Sequence, residues 1–367
     1  MGEESQATDG GRNILLFADG TSNSSASPQK TNVWRLYAAL DLGPAQAGKR
    51  EQIAFFDNGV GNSQFTPAAL LGIVFGIGVA RNVRDIYKFL CRNYHEGDRI
   101  FAFGFSRGAY TIRLLIAAVC SLGLAPYESE EQLDLAARDI WRQLRRSFHT
   151  NNFIADFIVC AFRALCRVLI RAKRGLLGQP SNYRFMPADT RWWFRDWREH
   201  WQKNWWGNEG IRPVEVDHGQ IVPGTRPVEV DFVGVWDTVA AYGGPVVEIT
   251  RAIDEWIWPL TMPNYRLHPR VKLARHALAI DDKRDSFTPL LWDEVHDRQV
   301  AERLKADMEK AGEDAGPILR KLAERYNSEL GPRIQQVWFA GMHADVGGGY
   351  PDDSLAYVSL WWMIEHA

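Results

Sequence analysis

The chain has 367 residues, 46% of them hydrophobic, and 43 Lys and Arg stand against 45 Asp and Glu for a net charge of −2. That apolar share supports a sizeable core and excludes a disordered chain, and the near-neutral balance excludes a globally basic surface, so no nucleic-acid partner is expected. Four cysteines, Cys91, Cys120, Cys160 and Cys166, fall on apolar helical stretches without Cys-x-x-Cys spacing, which reads as buried thiols in a reducing compartment, with no disulfide framework and no metal site.

Residues 1–11 are polar and acidic, with neither a basic nor an apolar segment. They read as a disordered tail without a Sec-type signal, and a cytoplasmic protein is expected. Asn13 to Phe17 is a short apolar strand leading into Ala18-Asp19-Gly20-Thr21, and Asn32 to Leu42 reads as a helix. A second strand runs from Gln52 to Phe56. The apolar stretch Pro67 to Ala80 is about 14 residues long, short of the roughly 20 that a spanning helix needs, so a buried helix is expected. Val79 to Tyr94 is helical, with Val79, Val83, Ile86, Phe89 and Leu90 in a 3.6-residue rhythm. Ile100 to Phe103 is the third strand, followed by an apolar helix, Ala109 to Leu122, closed by Gly123 and Pro126.

Between residues 127 and 225 the alternation gives way to a helical, Arg- and Trp-rich stretch, expected to be a cap inserted between two parts of a core, 12–126 and 226–367. Arg212-Pro-Val-Glu-Val-Asp217 recurs at Arg226-Pro-Val-Glu-Val-Asp231. Only the second copy continues into an apolar run, so Val228 to Trp236 is the central strand and the first copy an edge strand or lead-in. Val271 to Ile280 and Ile334 to Ala340 complete the strands, separated by a charged helical segment, Asp293 to Asn327. Alternation of this kind predicts an α/β fold: a mainly parallel central sheet with helices on both faces and a helical cap insertion.

Gly104-Phe105-Ser106-Arg107-Gly108 is a G-x-S-x-G motif between a strand and a helix. This is the layout of a nucleophile elbow, in which a strained turn holds the serine hydroxyl clear of the sheet. A serine hydroxyl needs a base to take its proton, and that base is usually a His oriented by a carboxylate. Asp237 follows the strand ending at Trp236, and His343 follows the strand ending at Ala340. Ser106, Asp237 and His343 thus occur in the Ser…Asp…His order of α/β-hydrolases, each at the carboxyl end of a strand. Asp281 ends the following strand and is the rival acid. His276 lies among apolar strand neighbours and reads as structural. Asp345 stands close enough in sequence to tune His343 or to order the loop Gly347-Gly348-Gly349. The oxyanion of an acyl transfer needs amide donors, for which Arg107 N–H and that of Gly20 or Thr21 are the candidates. No cofactor is required.

These motifs resemble the DUF2235 α/β-hydrolases, which include the Tle1-like phospholipase effectors of type VI secretion. The resemblance rests on Phe17-Ala18-Asp19-Gly20-Thr21 with Thr31-Asn32-Val33, on Gly104 to Tyr110, on Gly234-Val235-Trp236-Asp237-Thr238-Val239, and on His343-Ala344-Asp345-Val346-Gly347-Gly348-Gly349-Tyr350. It covers most of the chain and is loose over 127–225. Ala18 stands where the family more often runs Phe-Asp-Gly-Thr, which leaves a supporting role for Asp19 intact. The resemblance implies a Ser-Asp-His hydrolase with phospholipase A activity, a lipid or acyl-ester substrate and, for an effector, export by type VI secretion and an immunity or secretion partner.

Arg163, Arg167 and Arg171 are spaced four apart beside an apolar helical pattern, and Lys173 and Arg174 follow; from Phe157 to Ala188 there are six basic residues and no acidic one. A basic amphipathic helix of this kind is expected to make peripheral contact with an anionic membrane, where each cation is worth about 1 kcal/mol. Trp192, Trp193, Trp197, Trp201, Trp205 and Trp206 suit the same interface. The alternative is a helix packed on the core with its arginines in water, forming an acyl-chain pocket. Two further functional readings stand beside a lipid hydrolase: an esterase or thioesterase on soluble acyl substrates, and a non-catalytic lipid- or partner-binding module on the same scaffold.

Overall fold

Among the described residues, six short runs rich in Val, Ile, Leu, Phe and Ala form the sheet: β1 (Asn13–Ala18), β2 (Gln52–Asp57), β3 (Arg99–Phe105), β4 (Val230–Trp236), β5 (Val271–Ala279) and β6 (Ile334–Phe339). The computed structural model describes residues 11–20, 28–44, 49–59, 77–149, 153–178, 193–195, 197–198, 224–239, 265–284, 287–312, 315–326 and 331–367. All neighbouring strands pair in parallel, in the order β2-β1-β3-β4-β5-β6. The chain winds outward from β1 to β2, then returns to place β3 on the other side of β1. That reversal puts the carboxyl ends of β1 and β3 beside one crevice, where open α/β sheets bind their ligands.

Among the described residues the α-helices are α1 (Asn32–Ala38), α2 (Ile77–Asn93), α3 (Arg107–Leu122), α4 (Glu130–Leu144), α5 (Phe153–Leu176), α6 (Glu294–Ala311), α7 (Pro317–Tyr326), α8 (His343–Gly347) and α9 (Ser354–His366). Period-two alternation along the strands divides the core between two faces. Ile14, Leu16, Ile100, Ala102, Val233 and Val235 pack against α2, α3 and α4. Leu15, Phe17, Phe101, Phe103, Phe232 and Trp236 pack with Val33 of α1 and with Leu360 and Met363 of α9. Leu133, Ala136, Ala137 and Ile140 of α4 belong to the first of these clusters, so the opening helix of the 127–225 stretch contributes to the main core. The expected helical segment 293–327 is two helices, interrupted where Gly312 takes a φ of 55° and Pro317 starts the next. The first repeat copy at 212–217, the apolar residues 67–76, and Trp192, Trp201, Trp205 and Trp206 lie outside the described residues. All four cysteines are free, and Cys91, Cys120 and Cys160 are buried.

The basic surface expected on α5 is not found. Arg163, Arg167 and Arg174 are buried, Arg171 is half-buried, and of the five cations only Lys173 is exposed. The helix ahead of them explains why. Arg163 donates to the carbonyls of Arg145 (2.9 Å) and Phe148 (2.7 Å), and Arg167 donates to that of Arg142 (2.6 Å). These carbonyls lie in and just beyond the last turn of α4, where the helix leaves acceptors unpaired and its dipole favours cations. Arg174 forks onto Asp139 of α4 at 2.7 and 3.2 Å. Arg163, Arg167 and Arg174 lie on the inner face of α5 with Val159 and Cys160, and Ile154, Ile158, Phe162, Leu165 and Leu169 lie on the outer one.

Candidate active site

β3 delivers Ser106 one residue past its end, at φ 58° and ψ −126°, outside the regions that L-residues favour. Two glycines make the turn sterically feasible. A Cβ on Gly108 would lie 2.1 Å from the Ala18 carbonyl oxygen, and one on Gly104 would lie 2.7 Å from Cα of Ala109. The Ser106 amide donates to the Trp236 carbonyl at 3.0 Å, tying the elbow to the neighbouring strand. Phe105 pairs in register with Trp236, so the two chains pass the sheet edge together and Ser106 and Asp237 leave it side by side.

Asp237 is the other non-glycine residue of positive φ among the described residues, at 37°. Its amide donates to the Ala277 carbonyl at 2.7 Å, and its Oδ1 accepts from the Ala279 amide at 3.1 Å, so both backbone and side chain are fixed to the end of β5. Its Oδ2 lies 2.5 Å from Nδ1 of His343, and Nε2 of the same ring lies 2.8 Å from Ser106 Oγ. With Nδ1 protonated toward the carboxylate, Nε2 carries the lone pair that faces the hydroxyl. All three side chains are buried. Phe105 and Phe287 flank the imidazole with ring centroids 4.6 and 4.7 Å away, leaving it little freedom to rotate. His343 opens the short helix α8, which ends at Gly347 with Gly348 as its cap.

The rival groups have other partners. Asp281 accepts from the Gly341 amide at 2.7 Å and binds the two strand ends together. Asp282 is held down to about 2, chiefly by the Arg284 side chain, and accepts from the His343 amide at 3.3 Å. Asp345 accepts from the Met342 amide at 2.8 Å and so caps α8. His276 accepts from the Thr238 amide on Nε2 at 3.1 Å and faces Gln336 Oε1 through Nδ1 at 3.1 Å; burial pulls it down to about 3, so it is a neutral strut beneath the Asp237 turn.

Of the oxyanion candidates, the Arg107 amide is the first of α3 and has no acceptor among the described residues. The Gly20 amide donates to its neighbour's Oδ1, on Asp19, at 2.6 Å, an engagement that the sequence did not reveal. Thr21 lies outside the described residues. Burial pushes Asp19 up to about 7 against the hydrogen bonds from Thr31 and Gly20 that favour its charge. The Arg107 guanidinium is itself largely desolvated, which pulls it down to about 10, and it too has no acceptor among the described residues.

Several supporting residues were not candidates for the site in the sequence. Asn32 donates from Nδ2 to the carbonyls of Val346 (3.0 Å) and Ala356 (2.8 Å), joining α1 to α8 and α9. Thr31 donates to Asp19 Oδ2 at 2.8 Å while capping α1. A polar pair directly before an apolar helix is an N-cap signal in sequence, and only the fold reveals that Asn32 reaches across 314 residues. Phe287 became recognisable as a wall of the site only through its contact with His343.

A 139-residue stretch is 31% identical to an uncharacterized protein of Saccharomyces cerevisiae, covering 34% of this chain and 20% of the yeast protein. Among solved structures, that of an uncharacterized protein from Pseudomonas aeruginosa aligns over 97% of this chain and 46% of its own, with a TM-score of 0.40 and 15% identity. The chain therefore spans less than half the length of either. The family described as "T6SS, Phospholipase effector Tle1-like, catalytic domain" matches residues 12–366. With that match running over nearly the whole chain, the protein belongs to the Tle1-like phospholipase effector family of type VI secretion, as a catalytic domain.

Proposed function

We propose that the chain is a serine hydrolase that cleaves carboxylic ester bonds of phospholipids in the manner of a phospholipase A. One observation carries this reading: the continuous line from Ser106 Oγ through the two ring nitrogens of His343 to Asp237, with steps of 2.8 and 2.5 Å. Family membership supplies the phospholipid. His343 takes the hydroxyl proton as Ser106 attacks the acyl carbon, and Asp237 stabilises the imidazolium that forms. The Arg107 amide, with one from the loop at Gly20 and Thr21, holds the oxyanion; the engagement of the Gly20 amide by Asp19 favours Thr21 for the second donor. Collapse of the tetrahedral intermediate expels the lysolipid alkoxide, which takes the proton from His343. Water then releases the fatty acid from the acyl-enzyme by the same steps. The Arg107 guanidinium, adjacent in sequence to the nucleophile and without a protein acceptor among the described residues, is suited to the lipid phosphate. Export by type VI secretion and an immunity partner in the producing cell follow for a member acting as an effector.

The test is product analysis on phospholipid vesicles. Free fatty acid with lysophospholipid is expected. Release of phosphorylated head group instead would refute the ester assignment, and turnover confined to short soluble esters would favour the esterase reading. Retention of every activity by Ser106→Ala would favour a non-catalytic module.

A further inference from the structure

α5 is built the wrong way round for a helix in water. Its inner positions are Asp156, Val159, Cys160, Arg163, Arg167 and Arg174, all buried. Its outer positions Ile154, Ile158, Phe162, Leu165, Leu169 and Leu176 are exposed; Ile158 is 61% and Leu169 60% accessible. Successive members are three, four or seven residues apart, so they form one apolar stripe along the helix, roughly 33 Å long at 1.5 Å per residue. A soluble helix carries its stripe toward the core and its charge toward solvent. Here the charges are spent inward on α4, and the hairpin is tightened further by His149 Nδ1 against Asp156 Oδ2 at 2.9 Å.

The ends of the stripe indicate what covers it. At the amino end, Trp197 lies against Phe153 and Phe157 with centroids 4.7 and 5.1 Å apart, and Trp193 lies 5.3 Å from Phe157. Trp197 Nε1 donates to the Phe153 carbonyl at 3.4 Å. Rings with an apolar body and one polar atom favour the membrane interface. The exposed charges among the described residues of α5 and of 193–198 are Lys173, Arg195 and Arg198, all basic. An apolar stripe with cations at both ends complements an anionic lipid surface. A membrane-spanning path is ruled out for this helix by Asp156 and three arginines on its inner face, and no helix among the described residues is long and apolar enough to cross.

We infer that the outer face of α5 docks on an anionic phospholipid bilayer, lying in the plane of the interface with its stripe among the upper acyl chains. The inference rests on the proposed function only for the presence of phospholipid at the site of action. It differs from the electrostatic contact expected from the sequence, because the affinity comes from Ile, Leu and Phe, and the cations set orientation and lipid preference.

The test uses flotation with vesicles of phosphatidylethanolamine and phosphatidylglycerol, on protein carrying Ser106→Ala so that binding is read without catalysis. Replacing Ile158, Phe162, Leu165 and Leu169 together by Gln is expected to weaken partition about tenfold or more, with the thermal midpoint unchanged or raised. In the Ser106 protein, the same replacements should lower turnover of vesicular lipid and leave turnover of a soluble short-chain ester intact. Vesicle binding that survives the four replacements would overturn the inference. So would binding abolished at about 1 M salt, where charge interactions are screened within about 3 Å. A self-associated form that the replacements dissolve while vesicle binding persists would assign the face to a second copy. Absence of phospholipid turnover in the Ser106 protein would count against the proposed function and leave the flotation result to stand alone.

Discussion

Asp237 and His343 are 106 residues apart in sequence, yet Oδ2 of the one lies 2.5 Å from Nδ1 of the other. The contact is made by register: β4 and β5 set the aspartate, and the turn after β6 brings the imidazole across. Asp281, the other acid at a strand end, faces the Gly341 amide instead. Asp237→Asn should therefore lower kcat about ten-thousand-fold, because an amide stabilises the wrong imidazole tautomer. Asp281→Asn should stay within about tenfold, losing one backbone tie. Steady-state kinetics on one ester substrate separate the two, and a larger loss in Asp281→Asn would reverse the assignment.

Arg107 offers a second test, because the proposal gives its amide and its guanidinium separate roles. Arg107→Met keeps the amide and removes the charge. KM for phospholipid should rise about tenfold, in line with the loss of one charge-assisted hydrogen bond, while kcat/KM for an uncharged ester changes little. Equal losses on both substrates would show that the side chain supports the elbow and does not touch phosphate.

Asp19 should make stability depend on pH. Its ordinary value is 3.8 and the folded value is about 7, raised by burial. Between these limits the folded chain holds a proton that the unfolded chain has lost, so stability falls as pH rises from about 4 to about 7 and is level beyond. Asp57, raised to about 6 by burial, adds to the same trend. Asp19→Asn should flatten part of that slope, on the order of 4 kcal/mol across the window. Denaturant midpoints measured at both ends check it; an unchanged slope would mean that Asp19 does not hold its proton.

The buried fork between Asp139 and Arg174 sets the position of α5. Asp139→Ala leaves a buried guanidinium without its carboxylate and should cost about 3–5 kcal/mol. Adding Arg174→Met should recover most of that loss, as a double-mutant cycle by thermal or chemical unfolding will read. Failure to recover would place the role of Asp139 in its bond to Arg142, at 2.7 Å.

Much of this arrangement was legible in the residues. Alternation of short apolar strands with periodic helices gave the parallel sheet, and the elbow glycines gave Ser106, because both follow from local sterics. The orientation of α5 was not legible. Arg163, Arg167 and Arg171 looked like an exposed stripe because a helical wheel cannot say which face meets the protein. The answer lay in the carbonyls at the end of α4, a feature of backbone geometry. The engagement of the Gly20 amide by Asp19 was hidden for a similar reason, since a turn's hydrogen bonds depend on how the chain enters it. Asn32, His276 and Phe287 act through contacts far along the chain, which no local pattern encodes.

The most direct measurement is covalent labelling by a fluorophosphonate, with the modified peptide identified by mass spectrometry. A single adduct on Ser106 is expected, absent in Ser106→Ala and nearly lost in His343→Ala, with fatty-acid release falling in step. Labelling that persists in both variants, or fatty-acid release unaffected by Ser106→Ala, would contradict the assignment of Ser106 as the nucleophile.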